Sequence, residues 1–172
     1  SFSFGATIGD LDGDGLPELF ITPDALFRNR GGQQKQDPEP WPDTDAYKSE
    51  GGLLADFSGD GHPDLLISRD ESEPGMGTDK IYHNYGQGKR LPTDTGADLD
   101  GLRSAEVALA EDFDNDGHLD LYICQNDRNN VLFLSNGDGS FRDGTATSSF
   151  IDAGGCDSAV AGDIDGDGGV DI

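Results

Sequence analysis

Positive charge is scarce in this sequence: 11 Lys and Arg stand against 35 Asp and Glu in 172 residues, a net charge of -24. A surface this acidic repels phosphate, and the few basic residues never cluster, so nucleic acid and anionic membranes are excluded as partners. Long apolar runs are also missing. None approaches the roughly 18 residues of a membrane helix, and Ser1-Phe2-Ser3-Phe4-Gly5 shows no basic stretch followed by an apolar one. The chain is therefore expected to be soluble, without membrane insertion, and with any secretion signal outside it. Cysteine is limited to Cys124 and Cys156, too few for a disulfide framework or a thiolate zinc site. One disulfide between them and two buried thiols both stay open. No Asn-x-Ser/Thr acceptor is present, so N-glycosylation is not expected. Even Leu, Ile, Val and Phe make up only about a fifth of the chain, near the border at which high net charge goes with disorder. A chain of this composition folds only if its acids are neutralised or put to use.

The acids are concentrated in a repeat. Four segments align without gaps: Asp10-Leu-Asp12-Gly-Asp14-Gly15-Leu16-Pro-Glu18, Asp56-Phe-Ser58-Gly-Asp60-Gly61-His62-Pro-Asp64, Asp112-Phe-Asp114-Asn-Asp116-Gly117-His118-Leu-Asp120 and Asp163-Ile-Asp165-Gly-Asp167-Gly168-Gly169-Val-Asp171. Numbering each from 1 to 9, acids recur at positions 1, 3, 5 and 9 and glycine at position 6. Short small-and-apolar stretches precede the loops, at Ala6–Gly9, Leu53–Ala55, Val107–Ala110 and Ala159–Ala161. Apolar runs follow the first three, at Leu19–Thr22, Leu65–Ser68 and Leu121–Cys124. These runs are short, β-branched or aromatic and bounded by Gly and Asp, which favours buried strands over helices. A third strand is expected at Leu26–Asn29, Ile81–Asn84 and Leu132–Ser135, and Asn136-Gly137-Asp138-Gly139 reads as a turn into an outer strand that starts near Phe141.

The expected fold is thus all-β, a β-propeller-type repeat of four-stranded antiparallel blades of about 50 residues. The blades are predicted at 1–50, 51–103, 104–152 and, for the first part of a fourth, 153–172. Residues 33–50, polar and proline-rich, and 70–79 read as surface excursions rather than domain boundaries.

Three carboxylates at alternate positions, a glycine and a fourth acid three residues on gather hard oxygen ligands around one point. Ca²⁺ takes six to eight such oxygens, backbone carbonyls included. The expected donors are Asp10, Asp12, Asp14 and Glu18 with the Leu16 carbonyl, and Asp56, Ser58, Asp60 and Asp64 with the His62 carbonyl. The other two sets are Asp112, Asp114, Asp116 and Asp120 with the His118 carbonyl, and Asp163, Asp165, Asp167 and Asp171 with that of Gly169. Ser58 replaces a carboxylate, so the second site is expected to be the weakest. An EF-hand needs a bidentate acid at loop position 12 and flanking helices. That position is Ile21, Ile67 and Ile123, each in a strand-like run, which excludes it. Transition metals are disfavoured for want of imidazole or thiolate donors in phase. Fifteen of the 35 acids lie in these loops, and four Ca²⁺ would bring the net charge from -24 to about -16.

The third unit, Val107-Ala-Leu-Ala-Glu-Asp112-Phe-Asp-Asn-Asp-Gly-His-Leu-Asp120-Leu-Tyr-Ile123 followed by Leu132-Phe-Leu-Ser-Asn-Gly-Asp-Gly-Ser-Phe141, resembles the FG-GAP/VCBS repeat of ASPIC/UnbV-like proteins and integrin α-subunit propellers. The resemblance runs through the whole chain. It implies calcium loops between the first and second strands of each propeller blade, in secreted or surface proteins used for adhesion, carbohydrate contact or scaffolding, and mostly without enzymatic activity. The first two units depart from the pattern at the glycine turn, at Asn29-Arg-Gly-Gly32 and Asn84-Tyr-Gly-Gln-Gly88.

Other residues carry less. The imidazoles of His62 and His118 are not expected to act, because the backbone carbonyl faces the ion at that position. His83 falls in a predicted strand without a nucleophile partner. Trp41, in Pro-Glu-Pro-Trp-Pro, is a candidate sugar platform or a pin for its own loop. No catalytic constellation appears. The expected function is a non-enzymatic extracellular or cell-surface calcium-binding module for structural assembly or adhesion; the alternative is a carbohydrate-binding module of a larger secreted protein. Three units and the start of a fourth do not close a ring. A longer chain, a ring shared by several chains and an open head-to-tail array each account for that. The expected partners are copies of the chain or another protein at exposed strand edges, and glycans.

Overall fold

The computed structural model describes residues 5–22, 25–37, 49–69, 79–86, 99, 105–125, 129–147, 155–156 and 158–172. Sheet one is β1 (Ala6–Gly9), β2 (Glu18–Ile21), β3 (Ala25–Asn29) and β4 (Gln34–Gln36), paired in chain order and antiparallel. Sheet two is β5 (Ser49–Ala55), β6 (Asp64–Arg69) and β7 (Lys80–Tyr82). Sheet three is β8 (Ala105–Glu111), β9 (Asp120–Gln125), β10 (Val131–Ser135) and β11 (Phe141–Asp143). The all-β fold of small blade-like meanders is the expected one, and each of the first three acidic loops joins the first and second strands of its sheet.

The second strands show why apolar runs mark this fold. A strand buried on both faces has no polar side to alternate with. Leu65 and Ile67 of β6 pack with Tyr82 against Phe20, Leu26 and Leu11 of the first unit. Leu66, on the opposite face, packs with Ile81 against Leu121, Ile123 and Phe133 of sheet three. Tyr122 and Cys124 then turn away from sheet two to meet Phe113, Leu132 and the segment carrying Cys156 and Ala159. Full burial of side chains such as Phe20 and Leu65 contributes about 1.5–3 kcal/mol each. The first strands lie side by side, β1 next to β5 and β5 next to β8, and the Leu54 N–H donates to Thr7 Oγ1 at 3.1 Å. Gly52 makes room there: a Cβ would stand 3.0 Å from the Phe20 ring, closer than ordinary contact.

Position 2 of each loop is a knob between units. Leu11 is buried against sheet two, and Phe57 against sheet three, its ring edge-on to Phe141 at 6.0 Å. In the fourth loop the same position is Ile164, which is 74% exposed.

Three expectations need correction. Residues 33–50 are not wholly a surface excursion: Gln34–Gln36 forms β4, in register with Phe27, Arg28 and Asn29, and β5 begins at Ser49. A fully exposed edge strand of Gln and Lys carries no apolar alternation to announce it. The third strand of the second unit ends at Tyr82, leaving His83 and Asn84 beyond it: among the described residues no fourth strand pairs with it, whereas pairing with β4 and β11 carries β3 through Asn29 and β10 through Ser135. Residues 159–161 form no strand; the fourth loop is flanked by a single bridge, Gly162 to Asp171. Residues 70–78 and Trp41 lie outside the described residues.

Cys124 and Cys156 form a disulfide, with Cα atoms 5.5 Å apart across 32 residues, which decides between the two open readings. It ties the segment before the fourth loop to β9, beside the hydrogen bond from Cys156 N–H to the Gln125 carbonyl. Closing a loop of that length restricts the unfolded chain by about 3–4 kcal/mol. Cys156→Ser is expected to lower the unfolding free energy in calcium by about 3 kcal/mol, read from urea midpoints. Reductant should bring the wild type to the same midpoint and leave the variant unmoved; equal midpoints for oxidised wild type and variant would contradict this.

Candidate metal centres

Each loop is built before any ion is considered. The carboxylate at position 1 receives the backbone N–H groups of positions 5 and 6. Asp10 accepts from Asp14 and Gly15 at 3.1 and 2.9 Å, Asp56 from Asp60 and Gly61 at 3.1 and 2.8 Å, and Asp112 from Asp116 and Gly117 at 3.0 and 2.9 Å. In the fourth loop Asp163 accepts from Gly166 and Gly168 at 2.7 and 3.1 Å. The carboxylate at position 5 accepts the N–H of position 7: Asp14 from Leu16, Asp60 from His62 and Asp116 from His118 at 2.9 Å each, and Asp167 from Gly169 at 2.7 Å. Such turns require left-handed backbone at positions 4 and 6. Position 6 is always glycine; position 4 is Gly13, Gly59, Asn115 and Gly166, and Asn115, at φ 59°, is of the type that tolerates this region best.

The acid at position 9 opens the second strand and staples the loop to the sheet. Asp120 is fully buried; its Oδ2 accepts from Phe113 N–H at 2.9 Å and its Oδ1 from Ser135 N–H, at the end of β10, at 2.8 Å. Asp64 does the same with Phe57, Ser58 and Asn84, and Glu18 with Leu11 and Asn29. Among the described residues, the Asp171 carboxylate accepts from Ile164 N–H alone, at 2.9 Å. Burial pushes the Asp64 and Asp120 carboxyls above the usual range, against the pull of these N–H donors and, for Asp64, of His83, whose Nδ1 lies 3.2 Å from Oδ1. Asn84 also ties units together, its Nδ2 donating to the Leu11 and Pro63 carbonyls at 2.8 and 3.1 Å. In the staple, Asn29, Asn84 and Ser135 contribute without any mark in the sequence. Toward the position-9 acid they donate through backbone N–H groups, for which no side-chain signal exists.

Positions 1, 3 and 9 converge. One oxygen from each of Asp10, Asp12 and Glu18 lies within 4.8 Å of the others, and the same holds for Asp112, Asp114 and Asp120 and for Asp163, Asp165 and Asp171. The second loop presents Asp56 and Asp64 on the same scaffold, with Ser58 at position 3. At that position, Asp12 Oδ1 and Ser58 Oγ are buried with no hydrogen-bond partner. A buried, unpaired oxygen costs about 1–3 kcal/mol unless something meets it. The donors are all hard oxygens, at spacings that span one ion with ligands near 2.4 Å, so the residues fit Ca²⁺.

The His62 and His118 rings pack on glycines, whereas His83 also reaches the second centre through Asp64. His62 packs on Gly86, His118 on Gly137, where a Cβ would come within 2.6 Å of Nε2, and His83 on Gly139 of the neighbouring unit. Two arginines do reach the loops. Arg28 Nη1 is 3.2 Å from Asp12 Oδ2, and Arg142 Nη2 is 3.2 Å from Asp114 Oδ2. Burial works to lower the Arg28 pKa, but the hydrogen bond to Asp37 and the charges of Asp37, Asp12 and Glu18 outweigh it and hold the pKa above the ordinary value.

The family profile of the FG-GAP-like repeat matches residues 10–67, 56–123 and 112–172. The first residues of these matches are Asp10, Asp56 and Asp112, position 1 of successive loops. The chain belongs to the FG-GAP-like repeat family. A search of characterised proteins found no significant match.

Proposed function

We propose that this chain is a non-enzymatic calcium-binding module whose role is assembly or adhesion outside the cell. The observation that carries the calcium reading is the pair of buried, unpartnered oxygens, Asp12 Oδ1 and Ser58 Oγ, at the same position of two loops in which acids converge. Each ion would be held by side chains at positions 1, 3, 5 and 9 and the carbonyl of position 7, up to four ions in all. The ion would supply positive charge to carboxylates already fixed in place; the residues supply everything else. The Cys124–Cys156 disulfide supports an oxidising compartment, where calcium is also near millimolar. Support for assembly comes from the knob position: Leu11 and Phe57 are covered by the next sheet, whereas Ile164 and the nearby Val160, 76% exposed, are open to another such sheet, whether of further repeats in the same chain, a copy of it or a second protein.

The test is calcium stoichiometry. After gel filtration in calcium, atomic absorption is expected to find four Ca²⁺ per chain, the most weakly held being lost in Ser58→Ala. Sedimentation in calcium should show species larger than a monomer, dispersed by chelator. Absence of bound calcium would end the reading, and a monomer under all conditions would end the assembly part of it.

A further inference from the structure

Arg28 does not belong to the first loop, yet its position bears directly on that loop's charge. It stands on β3, its side chain only 17% exposed, and is clamped from both sides. Nε donates to Asp37 Oδ2 at 2.8 Å, and Nη1 donates to Asp12 Oδ2 at 3.2 Å. Asp37 is in turn fixed by its N–H, which donates to the Leu26 carbonyl at 2.8 Å. The guanidinium is therefore held against the outer oxygen of Asp12, while the inner oxygen, Oδ1, is left buried and unpartnered. Arg30, by contrast, is 58% exposed and 4.0 Å from the same carboxylate.

The third loop repeats the arrangement from a different strand. Arg142 of β11 places Nη2 on Asp114 Oδ2 at 3.2 Å, with Nη1 donating to the Ser135 carbonyl at 2.8 Å. Two arginines from non-equivalent strands thus reach the same loop position. In the second loop that position is Ser58, which carries no charge for a guanidinium to meet.

We propose that Arg28 is a resident counter-cation of the first loop and sets its calcium affinity below the value its three converging carboxylates would otherwise give. This rests on the calcium reading above. Two effects oppose each other. By fixing Oδ2, Arg28 orients Oδ1 and favours binding; by its charge, it repels a divalent ion. The second is larger. A guanidinium on the far oxygen of a ligand carboxylate stands about 6 Å from the ion, where even water-like screening leaves a repulsion of about tenfold in affinity. The same charge balances the acids when no ion is bound, so the first loop needs calcium less than the others. Arg142, half exposed, is the weaker version, because solvent and salt screen it.

The glycine at position 6 supplies a site-specific reporter, since Gly15, Gly61, Gly117 and Gly168 each donate their N–H to the position-1 carboxylate. Calcium titrations of the full chain are followed at these four amides by nitrogen-15 NMR. In Arg28→Gln the Gly15 midpoint is expected to move to about tenfold lower calcium, while Gly61, Gly117 and Gly168 stay in place. Arg28→Lys, which keeps the charge, should stay near the wild type and covers the case in which the glutamine variant folds poorly. Arg142→Gln should move Gly117 in the same direction by a smaller factor. An unchanged or raised Gly15 midpoint in Arg28→Gln, with the other three titrating normally, overturns the role of Arg28 and leaves the calcium sites standing. If no loop glycine responds to calcium in the wild type, the calcium reading fails, and the proposal with it.

Discussion

Removing calcium with a chelator is expected to lower the melting temperature of this chain by about 20–40 °C. The magnitude follows from linkage. A ligand present at about 100 times its dissociation constant stabilises the native state by roughly 2.7 kcal/mol per site, so four sites supply about 11 kcal/mol. That equals the whole stability of an ordinary domain, about 5–15 kcal/mol. For a chain of this length each kcal/mol moves the midpoint by about 2–4 °C. A second effect acts in the same direction. Without the ion, the carboxylates of Asp112, Asp114 and Asp120 remain within 4.8 Å of one another, where each pair repels by about 1 kcal/mol even with water-like screening. Few apolar residues stand in reserve to offset this: among the described residues the buried core is made by the second and third strands, the knobs between sheets and Leu99. Calorimetry in 1 mM calcium and in EDTA reads the difference. Magnesium, which dehydrates reluctantly and demands an octahedral shell, should restore only part of it. Identical melting curves with and without chelator would sink the idea that the folded state includes its metal.

What the sequence revealed and what it hid divide along a physical line. The loops were legible because their function is carried by side-chain identity: acids at fixed offsets and a glycine that only left-handed backbone explains. The strands Leu65–Ser68 and Leu121–Cys124 were legible because burial on both faces leaves a bare apolar run. Strand Gln34–Gln36 was hidden, since its pairing rests on backbone hydrogen bonds and its exposed side chains are free of constraint. The position-9 staple was half visible. The acid shows in the sequence, while its partners, the N–H groups of Asn29, Asn84 and Ser135, are common to any residue. Arg28 and Arg142 were hidden for a third reason. They reach the same loop position across 16 and 28 residues from strands of different rank, so no repeat alignment brings them into one column.

The staple gives the sharpest single-residue prediction. Asp120→Ala is expected to destabilise the protein by about 3–5 kcal/mol in calcium, because it strands two buried N–H donors and removes a ligand at once. Asp120→Asn separates the two roles. The amide keeps one acceptor oxygen of nearly the same shape but sets its NH2 against the other buried N–H, so half of the staple survives, and the charge that holds the ion is gone. In calcium the loss should be close to one site's contribution, about 3 kcal/mol. In chelator the charge works the other way. Burial raises the folded-state pKa of Asp120, so the carboxyl favours folding only while protonated. That contribution is complete below the unfolded pKa and lost as pH rises through the folded one. At neutral pH without metal the charge is a net cost, and asparagine removes it. The stranded N–H, at about 1–3 kcal/mol, works against that gain, so Asp120→Asn is expected to stay close to the wild type in chelator while falling well below it in calcium, and Asp64→Asn should behave alike. Urea unfolding of both proteins in the two buffers gives the four free energies needed. A loss of the same size with and without calcium would mean that Asp120 is a staple alone and that the third loop's ion is held by other groups.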